Sequence, residues 1–134
     1  MPGTKPRRQR ILLVEDDRHL RSCFETLLGF DGHEVCSVGG GEAALVKLEQ
    51  ERFDLVLTDY WMPRMNGDEL AMLIKQKWPN LPIILASGSW HGVSTFQSST
   101  PGVDCLLNKP FSMAELREAV ELVLPMSSQF AQAV

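Results

Sequence analysis

Residues 11–17 read Ile11-Leu12-Leu13-Val14-Glu15-Asp16-Asp17, an unbroken aliphatic run that ends on three acids. A second stretch has the same form: Leu55-Val56-Leu57-Thr58 runs straight into Asp59. A third, Ile83-Ile84-Leu85-Ala86, ends on Ser87. Short continuous runs of Ile, Leu and Val are the pattern of parallel strands covered on both faces. Two further apolar segments, Glu34–Val38 and Cys105–Leu107, bring the number of expected strands to five.

Working outward, the strands are separated by stretches of helical spacing. Leu20, Cys23, Phe24, Leu27 and Leu28 fall at i, i+3, i+4, i+7 and i+8, which draws one apolar stripe. Leu116, Ala119, Val120, Val123 and Leu124 repeat it, behind a Ser112-Met113-Ala114-Glu115 capping box. Leu70, Leu73, Ile74 and Trp78 supply another stripe, ended by Pro79, and Ala44, Leu45 and Leu48 mark a shorter helix after Gly39-Gly40-Gly41. The segment from Gly88 to Asp104 is rich in Ser, Thr and Gly, so a fourth helix there is expected to be short, displaced or mobile. Strands alternating with helices imply βαβ units. Right-handed crossovers then give an α/β fold, a three-layer doubly wound (βα)5 sandwich around a five-stranded parallel sheet.

The 134 residues fit one domain, expected over 11–125, with a flexible lead-in at 1–10 and a tail or linker stump at 126–134. At 44% hydrophobic and 22% charged residues, the chain has the balance of a folded globular protein. Its net charge of -4 argues against wrapping nucleic acid, which calls for a basic stripe. Cys23, Cys36 and Cys105 are odd in number and lack metal-ligand spacing, and are expected to be reduced and mostly buried. His19, His33 and His91 also lack such spacing and are expected at the surface. No run is long enough for a signal-peptide core or a membrane span, so the expected location is the cytoplasm.

In an open parallel sheet, ligands bind beyond the carboxyl ends of the strands. Glu15-Asp16-Asp17, Asp59, Ser87 and Asn108-Lys109 all fall at such ends. Asp17 alone reads as a helix cap. Glu15, Asp16 and Asp59 together would repel one another unless a cation joined them, and Mg²⁺ takes one or two carboxylates plus phosphate oxygens. A carboxylate can also attack phosphorus to form an aspartyl phosphate. Lys109 and the Ser87 hydroxyl would then hold the remaining phosphoryl oxygens.

Four stretches, ILLVEDDRHLR (11–21), DLVLTDYWMPRMNGDEL (54–70), PIILASG (82–88) and LLNKPF (106–111), resemble the receiver domain of two-component response regulators, in matching order and spacing from Ile11 to Leu124. The resemblance implies the strand order 2-1-3-4-5. It implies Asp59 as phospho-acceptor, with Glu15, Asp16, Asp59 and the backbone carbonyl of Trp61 holding Mg²⁺. Ser87 would move toward the phosphoryl group, Lys109 would pair with it, and the bond to Pro110 would be cis. Gly67 would allow a tight turn into the third helix. The implied partners are a histidine kinase or histidine phosphotransfer protein and a downstream protein target. A homodimer through the face of helix four, strand five and helix five is also implied. The implied chemistry is the domain's own phosphorylation and dephosphorylation, without turnover of another substrate.

Two positions depart from that family. Leu106 stands three residues before Lys109, where an aromatic is usual, so phosphorylation is expected to act through 88–104 rather than through a moving ring. Trp61, two residues after Asp59, either shields the acyl phosphate from water or anchors a partner. A dehalogenase-like phosphatase would need an acid at position 61, and Trp61 removes that reading. A flavin site fails on the acids that end the first strand, and no GxxxxGK[ST] loop is present. A pseudo-receiver that signals without phosphorylation stays open, as does a receiver fragment of a hybrid histidine kinase.

Overall fold

The computed structural model describes residues 8–88 and 101–123. Among them, the elements run β1 (Arg10–Val14), α1 (Arg18–Phe30), β2 (Glu34–Val38), α2 (Gly41–Gln50), β3 (Leu55–Asp59), α3 (Gly67–Lys77), β4 (Ile83–Gly88), β5 (Cys105–Lys109) and α4 (Met113–Val123). The five strands form one parallel sheet in the order β2-β1-β3-β4-β5, as the resemblance implies.

Alternation along each central strand divides the core into two. Ile11 and Leu13 of β1 join Leu55 and Leu57 of β3 under α1 and α4, packing on Phe24, Leu28, Leu116 and Val120. Leu12, Val14 and Val56 face the other way, onto Ala44 and Leu48 of α2 and Leu70, Ala71 and Ile74 of α3. Helices therefore cover both faces, and the sheet is the middle of three layers. Each fully buried Leu or Ile contributes about 1.5–3 kcal/mol, which is why the unbroken runs belong in the sheet centre. The more broken segments EVCSV and CLLNK form the two edge strands, β2 and β5, where burial is partial.

Helix ends follow local chemistry. The Asp17 side chain accepts from the His19 and Leu20 amides at 2.8 and 3.1 Å, capping α1. Ser112 and Glu115 form the reciprocal box before α4: the Ser112 amide donates to Glu115 Oε1 at 2.8 Å, and the Glu115 amide donates to Ser112 Oγ at 3.1 Å.

Three expectations are corrected. Cys23 and Leu20 are exposed, because the sheet covers only the Phe24–Leu28 side of α1; Cys36 and Cys105 are half-buried. Leu73 is exposed, and Ala71 takes the buried place beside Leu70 and Ile74. His33 is buried rather than at the surface, its Nδ1 accepting from the Gln9 amide at 2.9 Å. Arg10, within the expected lead-in, opens β1; its guanidinium reaches Glu34, Glu51 and the Arg52 carbonyl and stacks over Phe53. The expected fourth helix falls largely on 89–100 and His91 within it, outside the described residues; so do Leu124 and the tail at 126–134.

Candidate functional site

The carboxyl ends of β1 and β3 lie side by side, so Glu15 and Asp16 after β1 meet Asp59 at the end of β3. One carboxylate oxygen from each of the three lies within 4.8 Å of the others. Asp16 is exposed, whereas Glu15 and Asp59 keep only 1% and 7% of their surfaces in contact with solvent. Lys109, at the end of β5, reaches across: its Nζ donates to Asp59 Oδ1 at 2.6 Å and stands 3.7 Å from Glu15 Oε1. The geometry thus brings Glu15, Asp16, Asp59 and Lys109 to one place at the edge of the sheet.

The electrostatics follow from crowding. Burial pushes the Glu15 carboxyl up to about 7; repulsion from Asp59 and Asp16 adds to this, while the Asp17 amide and Lys109 oppose it. Burial also raises Asp59 above its ordinary range, and the Lys109 hydrogen bond pulls the other way. Glu15 Oε1 is buried and accepts no hydrogen bond, while Glu15 Oε2 accepts from the Asp17 amide at 3.1 Å. A buried oxygen lacking a donor, beside two further carboxylates, is a donor set that fits a hard divalent cation.

Ser87 is buried at the end of β4, and its hydroxyl donates to the Gly88 carbonyl at 3.4 Å. In this arrangement it turns to its own backbone. The Lys109–Pro110 bond is cis. Trp61 is 52% exposed, with its ring edge-on to Tyr60 at 4.7 Å. Leu106 is half-buried in β5, in register with Leu85, so no ring occupies that position.

Gly67 holds the loop after β3 closed by proximity. Its amide donates to the Tyr60 carbonyl at 2.8 Å, and a Cβ at 67 would stand 2.3 Å from the Asp59 carbonyl oxygen and 2.6 Å from Leu85 Cδ1. The turn needs glycine here for space, since its φ is not positive.

One contact had no counterpart in the sequence reading. Arg21, one turn beyond the Asp17 cap, donates from Nη1 to the Glu15 carbonyl oxygen at 3.2 Å. The signal available was spacing: a residue four after a helix cap returns to the side of the preceding loop.

Comparison with known proteins places this geometry in context. The family described as the response regulator receiver domain matches residues 11–121. The chain is 39% identical over 114 residues to the response regulator protein FleR of Pseudomonas aeruginosa, covering 85% of this chain and 24% of FleR. It is 34% identical to the response regulator receiver protein CpdR of Brucella abortus, covering 87% of this chain and 97% of CpdR. Relatives thus include longer proteins, of which this chain spans a fraction (55% of PhoP of Pseudomonas aeruginosa), and at least one of similar length. Among solved structures, the response regulator TrrA of Thermotoga maritima, in complex with Mg²⁺-BeF, superposes with a TM-score of 0.77 at 32% identity. That match covers 87% of this chain and 99% of TrrA. NtrX of Brucella abortus, in complex with ADP, gives 0.82 at 26% identity over 94% of this chain and 29% of NtrX.

Proposed function

The chain belongs to the response regulator receiver domain family, and on that premise we propose that it is a phospho-acceptor domain of a two-component phosphorelay, with Asp59 as the acceptor. The observation that carries this reading is the three-carboxylate cluster bridged by Lys109.

An Asp59 carboxylate oxygen attacks the phosphorus of a phosphohistidine on a partner histidine kinase or histidine phosphotransfer protein. The oxygen–phosphorus bond forms as the phosphorus–nitrogen bond breaks, and the histidine nitrogen leaves with the bonding pair. Glu15, Asp16, Asp59 and the Trp61 carbonyl would hold Mg²⁺, which when bound offsets the repulsion between carboxylates and phosphoryl oxygens. Lys109 already lies on the acceptor and needs only to shift its hydrogen bond from Asp59 to a phosphoryl oxygen. Ser87 would rotate its hydroxyl away from the Gly88 carbonyl and donate to another. Catalysis here is positioning and electrostatics. The domain acts on its own acceptor and not on a released substrate.

The domain is read as residues 11–125, working in the cytoplasm. No helix among the described residues is long and apolar enough to cross a membrane. Phosphorylation would change binding to a downstream protein, or to a second copy through the face of the fourth helix expected over 88–104, β5 and α4; direct contact with nucleic acid is not part of this reading. With Leu106 in β5, the change would be carried by 88–104 rather than by an aromatic ring.

TrrA in complex with Mg²⁺-BeF supplies the test, since the same anion can be offered to this chain. Beryllofluoride added with Mg²⁺ is expected to shift the amide resonances of Asp59, Ser87 and Lys109, and to do nothing without Mg²⁺. Unchanged spectra in the presence of both would overturn the reading.

A further inference from the structure

The residue that closes the β1–α1 loop is Arg21. Glu15 is held at three points. Its amide donates to the Val38 carbonyl of β2 at 3.0 Å, its side-chain Oε2 accepts from the Asp17 amide, and its carbonyl accepts from Arg21 Nη1 at 3.2 Å. The first bond belongs to the sheet and the second to the loop itself. The third is the one that ties the loop to the body of α1.

Arg21 is half-buried, and among the described residues it forms no ion pair with an acid. A guanidinium that gives its hydrogen bond to a backbone carbonyl, rather than to a carboxylate, is fixed by geometry more than by net charge. Gly39, after β2, contributes to that fit: a Cβ there would stand 3.1 Å from Arg21 Nη1, so the glycine leaves the guanidinium its room. The same arginine begins the hydrogen-bond ladder of α1, its amide donating to the Asp17 carbonyl at 2.9 Å. It therefore joins the end of β1, the first turn of α1 and the loop after β2.

From this juxtaposition we infer that Arg21 is a positioning residue for the cation site: by holding the Glu15 carbonyl it presets the Glu15–Asp16 pair for Mg²⁺. The inference rests on the metal-binding role proposed for that pair. Without the anchor the loop must be ordered when the ion binds, and the cost appears as weaker binding. A hydrogen-bond contribution of ordinary net size corresponds to about a five- to tenfold change in affinity. Its effect falls on how much Mg²⁺ is needed, not on the chemistry once the ion is in place.

The test is calorimetric titration with MgCl₂ of wild type, Arg21→Met, Arg21→Lys and Asp16→Asn, with thermal unfolding of each in EDTA. Wild type should bind and Asp16→Asn should lose most of that binding. Arg21→Met should bind about five- to tenfold more weakly, and Arg21→Lys, which keeps a donor that can reach the same carbonyl, should recover most of the loss. In phosphorylation by a small-molecule donor, Arg21→Met should need more Mg²⁺ for half-maximal rate and reach an undiminished rate at saturation. A wild-type Kd in Arg21→Met, whatever its Tm, would overturn the inference. If Arg21→Met does not fold, Arg21→Ala, which likewise lacks a donor, takes its place with the same expected loss, and a wild-type Kd there would overturn the inference. Wild type that fails to bind Mg²⁺ would overturn the metal-site reading itself, and this inference with it.

Discussion

Lys109 places its ammonium 2.6 Å from the carboxylate of Asp59, fifty residues earlier in the chain. The two residues end strands β5 and β3, which are separated in the sheet by β4, so the contact crosses the whole mouth of the site. The same ammonium stands 3.7 Å from Glu15. A single cation thus serves two buried acids.

Removing that cation leaves both acids uncompensated. Lys109→Met is expected to destabilise the metal-free protein by about 1–2 kcal/mol at pH 8, a figure kept low because the lysine is partly solvated. Mg²⁺ should return much of the loss. Urea unfolding with and without MgCl₂ reads both effects, and a variant as stable as wild type in EDTA would contradict the account.

The Glu15 carboxyl, raised to about 7, would make binding of the proposed cation pH-dependent. Because its folded-state value lies above the unfolded one, the folded protein binds the extra proton between about pH 4.5 and 7. Its contribution therefore favours folding at the acid end and is lost as pH rises through 7, in the absence of metal. Mg²⁺ competes with that proton, so affinity should fall by up to about tenfold per pH unit below 7. Calorimetry at pH 6, 7 and 8 measures the slope, and Glu15→Gln should flatten it. His33, whose value burial lowers, contributes the opposite slope to stability below about pH 6.5. The comparison with Glu15→Gln separates the two.

Gly67→Ala tests the close approach of α3 to β3. A methyl group 2.3 Å from the Asp59 carbonyl oxygen cannot be accommodated without moving β3 or the helix. A loss of about 2–3 kcal/mol in denaturant unfolding is expected, with slower phosphorylation of the folded fraction. Wild-type stability would show that the helix start shifts freely.

Much of this architecture is legible in the residues because the determinants are local. The runs at 11–14, 55–58 and 83–86 are unbroken since both faces of those strands are covered, and the capping pair Ser112 and Glu115 announces α4. Charged strand ends announce the site. What escaped depends on contacts distant in sequence. His33 is buried because Gln9, twenty-four residues earlier, donates to its ring. Leu20, Cys23 and Leu73 lie at helical spacing yet stay exposed, because spacing gives the direction of a stripe and not the width of sheet that covers it. Arg21 carries no sign of its carbonyl contact except its place one turn into α1. The resemblance marks Gly67 as the glycine of a tight turn, but the requirement for it is set by its closeness to β3 and β4.

The most direct measurement is the intact mass of the protein after incubation with acetyl phosphate and Mg²⁺, beside Asp59→Asn and an EDTA control. The account predicts the gain of one phosphoryl group in wild type, absent from Asp59→Asn and abolished by EDTA. A folded, Mg²⁺-binding wild type that gains no mass, or an Asp59→Asn protein that gains it equally, would contradict the assignment of Asp59 as acceptor.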